Sequence, residues 1–254
     1  FVQGVGGLTL VIGSTGLITA CSTEEAEQIA QSESTDLTAN IWVTIGTDDV
    51  VTIQYPGTEM GQGTSTSLPL VLADELDADW DKVNVETVTV HDERYGNPFF
   101  QNMLYTAGSL TVQAYFDRIR IAGAQARRLL VASAADRWGV PVSELETEPS
   151  VVVHPASDRR LSYGEIASFT EAPETLPEIE VEELKPFGQH RYLGSDIPRR
   201  DVPSKTDGSA EFGIDVQVPG MVYASVLRAP VEGEEPIEVD DTAARAVAGV
   251  TDVL

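Results

Sequence analysis

Cysteine is almost absent: one residue, Cys21, in a chain of 254. A single thiol excludes a disulfide framework. It also excludes an iron–sulfur cluster or a Cys-rich zinc site held by this chain alone. No Cys-x-x-Cys-His is present, which excludes covalently attached haem. Basic side chains are scarce too. Lys plus Arg number 16 against 41 Asp plus Glu, a net charge of −25. Phosphate-backbone contacts need clustered Lys and Arg, so no nucleic acid partner is expected. The three histidines, His91, His154 and His190, are scattered singly, a pattern that suits structural roles. Nucleophile elbow, Walker A loop, H-E-x-x-H and G-x-G-x-x-G are all missing. The acidic clusters lack the Asp/Asn/Gly spacing of a calcium loop.

Charge is missing altogether from residues 1–23. That length fits a spanning helix of roughly 20 apolar residues. Four glycines in the first thirteen residues make the run only mildly hydrophobic, which suits the h-region of an export signal. The expectation is a signal or anchor segment over residues 1–22, with membrane contact through residues 1–21. Ile18-Thr19-Ala20-Cys21 resembles a lipobox, and lipidation at Cys21 would remove residues 1–20. Glu24, Glu25 and Glu27 follow, which agrees with the next domain lying outside the cytoplasm.

What is present begins with an apolar content of 42%, enough for a real core. Ile41-Trp42-Val43-Thr44-Ile45 and Val50-Val51-Thr52-Ile53-Gln54 read as two strands around a Gly46-Thr47-Asp48-Asp49 turn. Residues 65–78 read as a helix, with Leu68, Leu72 and Leu76 four apart and Thr64, Ser65 or Thr66 as N-cap. Residues 83–90 alternate as a strand. A long helical pattern then runs to Trp138, where Gly139 and Pro141 stop it. It carries Arg118, Arg120, Arg127, Arg128 and Arg137, read as a solvated or salt-bridged face. A strand at residues 151–153 and a short capped helix at 162–167 follow. Residues 171–185 hold six Glu, the composition of a linker. Residues 213–218 and 221–227 read as strands about a Pro219-Gly220 turn.

Two glycine-containing loops stand immediately before helices. One is Gly57-Thr58-Glu59-Met60-Gly61-Gln62-Gly63 and the other Thr106-Ala107-Gly108-Ser109. Helix N-termini present unsatisfied N–H groups and a partial positive charge, an anion site that needs no lysine. A chain at −25 would otherwise repel a phosphorylated ligand. Glycine lets the backbone approach such a ligand closely.

Those loops, in that order, resemble the molybdenum hydroxylases, the xanthine dehydrogenase and aldehyde oxidoreductase superfamily. So do residues 193–205, Gly208-Ser209-Ala210-Glu211-Phe212-Gly213-Ile214-Asp215, and Pro219-Gly220-Met221-Val222-Tyr223-Ala224, which resemble the opening of the family's α/β-hammerhead domain. The hammerhead follows the Met-Gly-Gln-Gly loop here. That order is similar to the large subunit of isoquinoline 1-oxidoreductase and of periplasmic aldehyde dehydrogenases.

The resemblance implies an α+β fold class. A molybdopterin-binding α/β domain would span residues 38–170 and an acidic linker 171–190. The start of a hammerhead domain would span 191–254, behind the N-terminal hydrophobic segment. It implies a molybdenum–molybdopterin cofactor, in its cytosine dinucleotide form, held by Met60, Gly61, Gln62, Gly63, Thr106, Ala107, Gly108 and Ser109. Phe99, Phe100 and Tyr105 would line a substrate channel or pack in the core. The implied activity is oxidation of aldehydes or N-heteroaromatic compounds with water as the oxygen source. The family's catalytic glutamate, in a Gly-Val-Gly-Glu context, has no counterpart in these 254 residues, and Glu59 is not its equivalent. No catalytic residue and no metal ligand is therefore assigned within the chain. The implied partners are a polypeptide carrying that glutamate, a small [2Fe-2S] subunit and a c-type cytochrome, with iron–sulfur and haem groups only on those partners. The expected location is periplasmic and membrane-associated. The competing expectation is a membrane-anchored extracytoplasmic binding or structural protein with the same fold and no cofactor.

Overall fold

A turn that needs left-handed backbone begins the first sheet. Gly46 and Asp49 close it: the Gly46 N–H donates to the Val50 carbonyl (2.8 Å), and Asp49 sits at φ 70°. Strands β2 (Val43–Ile45) and β3 (Val51–Tyr55) therefore pair antiparallel, as the alternating apolar runs predict. The computed structural model describes residues 36–89, 93–172 and 174–254. The expected anchor segment, Cys21, Val90 and His91 lie outside them. Two compact units share the chain, one ending at Thr206 and the other spanning Asp207–Leu254.

In the first unit a four-stranded sheet has the order β1-β2-β3-β4, with β1 at Leu37–Asn40 and β4 at Val83–Thr87. β3 and β4 run parallel. A parallel neighbour requires a crossover, and helix α1 (Thr64–Leu76) supplies it. Leu68, Leu72 and Leu76 are fully buried, the face that their spacing marked. Helix α2 (Thr111–Trp138) has 28 residues and is about 42 Å long. Ile119, Gly123, Ala126 and Leu130, three or four residues apart, are buried on it, whereas Val112 is exposed. A second antiparallel sheet, β5 (Glu146–Glu148), β6 (Val151–His154) and β7 (Arg159–Ser162), leads into helix α3 (Tyr163–Ala167). Ser162 and Glu165 form a capping box there, each side chain bonding the other's backbone.

The two long helices touch where α2 has no side chain. A Cβ on Gly123 would lie 2.7 Å from the Leu72 carbonyl oxygen and 3.2 Å from Leu76 N. Arg120 and Arg127 both reach Glu75 from α2, and Arg127 also reaches Asp77 just past the end of α1. Leu76 and Gly123 each lie about three turns beyond the start of their helix. The segments that lead into the two helices meet, through the Thr58 N–H and Thr106 Oγ1.

The arginines of α2 face partners rather than bulk water. Arg120 donates through Nε and Nη2 to Glu75 (3.1 and 3.0 Å), and Arg128 pairs with Glu183 at 2.8 Å. Arg127 reaches Asp77 at 3.5 Å. Arg118 donates to the carbonyls of Gly96 and Arg94, and Arg137 lies over the Phe169 ring. Glu75 is fully buried, so Arg120 compensates a charge that burial would otherwise penalise.

A strap over residues 177–201 lies along these helices. Ile179 and Leu184 are buried, and Gln125 donates to the Pro177 carbonyl. Its firmest hold is the end of α1. Buried Asp74 accepts the N–H groups of Arg191, Tyr192 and Leu193 at 2.8, 3.2 and 2.9 Å. Lys185 donates its own N–H to Glu75 and its ammonium to Asp77 (2.8 and 2.6 Å). Burial pushes the Asp77 carboxyl up, but Lys185, Thr147 and Arg191 overcome it and hold the group below its ordinary value. Helix α4 (Val202–Asp207) follows the strap.

The second unit holds turns and one short helix, α5 (Thr242–Arg245), tied by Arg245 to Asp241 and Asp252. Residues 213–218 and 221–227 do not form the expected strands. Ile214 is 89% exposed and Leu227 99%. The alternation is present, but a two-stranded pair without a covering layer is marginal in water. Pattern alone therefore does not make these residues strands. Among the described residues no helix is long and apolar enough to cross a membrane.

Candidate functional site

The loop before α1 depends on two glycines held at positive φ, Gly61 at 105° and Gly63 at 84°. Their backbone turns the chain so that Glu59 folds back onto the helix mouth. The Glu59 carboxylate accepts N–H groups from Gly61 (2.8 Å), Gly63 (3.0 Å) and Ser65 (3.0 Å), and the Ser65 hydroxyl at 2.7 Å. Thr64, Ser65 and Thr66, expected as caps, do not cap. Gly63 is the N-cap and makes no side-chain bond, and the carboxylate takes over that work. Burial alone would raise the Glu59 pKa. The hydrogen bonds from Gly63, Ser65 and Gly61 outweigh it and bring the group down to about 2.

Gln62 closes the same loop from inside. Its Oε1 accepts the Met60 N–H (2.6 Å), while Nε2 donates to the Thr58 carbonyl (2.7 Å) and to Thr64 Oγ1 (2.9 Å). Most of its amide capacity is thus spent on shape. The Met60 side chain is 68% exposed. Gly61 has open space where a Cβ would stand, so a ligand can approach its backbone.

The second loop arrives beside the first. The Thr58 N–H donates to Thr106 Oγ1 at 3.1 Å, across 48 residues of sequence. The Ala107 carbonyl accepts the Leu110 N–H (3.2 Å). Gly108 and Ser109 both adopt positive φ, 63° and 56°. Leu110 caps α2 without a side-chain bond. Before this loop, Phe100 and Tyr105 pack edge to face at 4.7 Å, and Phe99 and Tyr105 are about half exposed. That leaves an aromatic surface beside the loops.

The structure thus brings the loop of Met60, Gly61, Gln62 and Gly63 beside Thr106 through the Thr58–Thr106 bond, ahead of α1 and α2. His154 and His190 lie elsewhere. His154 bonds Ser157 and Glu144, and His190 lies 3.4 Å from buried Asp74. Three contributors were not predicted: Thr58, Glu59 as a cap, and Arg199. Arg199 donates through Nη1 to the Gly61 carbonyl (2.9 Å) and reaches Glu59 at 3.4 Å. A carboxylate two residues before a Gly-x-Gly turn into a helix is a local signal for such a cap. Arg199 had no signal, since it stands 138 residues from Gly61.

The amides of Gly61, Gly63 and Ser65 are already taken by Glu59. The open face of Gly61 and the hydroxyls of Thr106 and Ser109 in the neighbouring loop suit a polar ligand. Comparison with known proteins agrees. A family described as "Molybdopterin cofactor-binding domain" matches residues 4–202. The beta chain of isoquinoline 1-oxidoreductase from Brevundimonas diminuta is 42% identical over 245 residues, 85% of this chain and 31% of that protein. The membrane-bound aldehyde dehydrogenase [pyrroloquinoline-quinone] of Gluconacetobacter polyoxogenes is 32% identical, over 82% of this chain and 26% of that one. One of the subunits of nicotinate dehydrogenase from Pseudomonas putida is 28% identical, over 84% and 18%. The chain spans a third or less of the length of these relatives. With most of its length matched to one family, and that family's cofactor suited to the paired loops, the chain belongs to the molybdopterin cofactor-binding domain family.

Proposed function

We propose that this chain is the cofactor-holding part of a molybdenum-dependent hydroxylase or dehydrogenase acting on aldehydes or N-heteroaromatic compounds, with water as the oxygen source. The observation that carries this reading is the Thr58–Thr106 bond, which joins the two glycine loops that lead into α1 and α2. The names of the relatives, an isoquinoline oxidoreductase, an aldehyde dehydrogenase and a nicotinate dehydrogenase, support the substrate classes. When bound, the molybdopterin supplies the redox chemistry at its metal. The polypeptide binds and orients it. Gly61 admits close main-chain contact, Gly108 gives the second loop its left-handed turn, Thr106 and Ser109 offer hydroxyls, and Gln62 keeps the first loop in shape. Met60 and Ala107 complete the two turns, and Phe99 and Tyr105 shape the approach.

The finer reading takes the pterin in its cytosine dinucleotide form. It adds a polypeptide carrying the catalytic glutamate, a small [2Fe-2S] subunit and a c-type cytochrome as electron acceptors. Export to the periplasm with membrane contact through residues 1–21, and completion of residues 191–254 as a hammerhead domain by further polypeptide, belong to the same reading. Metal and pterin analysis of the purified complex tests it. The expected result is molybdenum and a pterin dinucleotide stoichiometric with this chain, with Gln62→Ala lowering both several-fold. A purified complex with neither would sink the reading.

A further inference from the structure

Residue 61 is gripped on both sides. Its N–H goes to Glu59 of its own loop, and its carbonyl takes the Arg199 guanidinium from the far end of the strap. Loops built on glycine lose much conformational freedom on ordering. The bonds of Glu59 and Gln62 close the loop on itself and onto the first residues of α1. Its ties to more distant chain are Thr58 to Thr106 on one flank and Arg199 on the other.

Arg199 is itself aimed. Asp201 accepts from its Nε (2.9 Å) and its Nη2 (2.6 Å), the two-pronged geometry that suits a guanidinium and no ammonium. Lys205 pairs with the same carboxylate at 2.6 Å. These two cations hold the Asp201 carboxyl well below its usual range, so the fork stays charged. The adjacent Arg200 N–H donates to Thr66 Oγ1 in the first turn of α1 (3.0 Å). Residues 191–193 are fixed behind it on buried Asp74. A side chain on a twice-anchored strap therefore reaches the outer face of the loop.

We propose that Arg199, oriented by Asp201, is a positioning residue that sets the Glu59–Gly61 turn in the shape that retains the pterin. The inference rests on the cofactor reading above and names this chain's own contribution to it. It requires the planar fork, because three nitrogens serve three partners. Positive charge at position 199 is not sufficient.

The test compares the purified complex carrying wild type, Arg199→Met, Arg199→Lys and Asp201→Asn. Pterin is read by the fluorescence of its oxidised form, as content and as rate of loss after dilution of the folded, loaded fraction. Losing a charge-assisted tie at the loop should speed pterin loss about tenfold in Arg199→Met. Arg199→Lys should restore little of it, and Asp201→Asn should fall between. Melting of the pterin-free proteins should move by about 2 °C or less, because the ion pair is partly exposed. Wild-type loss rates in Arg199→Met, or full rescue by Arg199→Lys, would overturn the inference and leave the cofactor reading standing. A wild-type complex without pterin would overturn both. Should Arg199→Met not fold, Asp201→Asn alone decides, since a wild-type rate there removes the orienting role.

Discussion

A single carboxylate changes how the first loop works. Helix mouths attract anions, and here Glu59 is the anion that arrives first. Its folded pKa lies at about 2, against an ordinary value of 4.5. The folded state therefore binds that proton less tightly than the unfolded chain does. The stability it contributes is whole above pH 4.5 and drains away as pH falls towards 2. Glu59→Gln cannot accept on both oxygens, and its amide would face the Ser65 N–H. Urea titrations at pH 7 should show it less stable by about 1–2 kcal/mol, as for a lost cap. The gap between wild type and variant should narrow between pH 4.5 and 3. A constant gap across that range would show that the carboxylate does not hold the helix mouth.

Packing between elements fixes the distance between the loops. Gly123 in mid-helix costs about 1 kcal/mol relative to alanine by propensity alone. If propensity decided, Gly123→Ala would stabilise. The Leu72 carbonyl oxygen 2.7 Å from the added Cβ says otherwise, since backbone cannot step aside cheaply. Overpacking of this kind costs about 1–3 kcal/mol. The variant is expected to melt below wild type, and a higher melting temperature would refute the tight crossing. Elements of this kind were largely legible in the sequence. The hairpin about Gly46, the Leu68-Leu72-Leu76 face and the Ser162–Glu165 box all follow from local spacing. The strap was not, because Asp74 meets Arg191 across 117 residues and local periodicity carries no such pairing. The candidate loops were legible as glycine turns before helices. Which groups would fill the first of them was not, since Arg199 comes from the strap.

At the scale of the molecule, apolar exposure among the described residues is concentrated in the second unit. Ile214, Val222, Tyr223, Val226, Leu227 and Ile237 are each at least 77% exposed. Apolar alternation made residues 213–227 look like strands, but strand pairing depends on neighbours that no local window contains. Unpaired, solvated amides exchange quickly. Hydrogen exchange on the isolated chain should show residues 213–227 unprotected while Leu72, Leu76 and Ile119 exchange slowly. In the full complex the same residues should gain protection if another polypeptide completes the sheet. Strong protection in the isolated chain would mean that this segment pairs without help.

The Glu59 cap has one more consequence, for assembly. A turn that brings its own counter-ion is finished before any guest arrives. Insertion of the pterin then requires no local refolding and little loss of chain entropy at that turn. Closing of that turn and loading become separate events, so the empty turn can wait, already shaped, until its cargo is delivered.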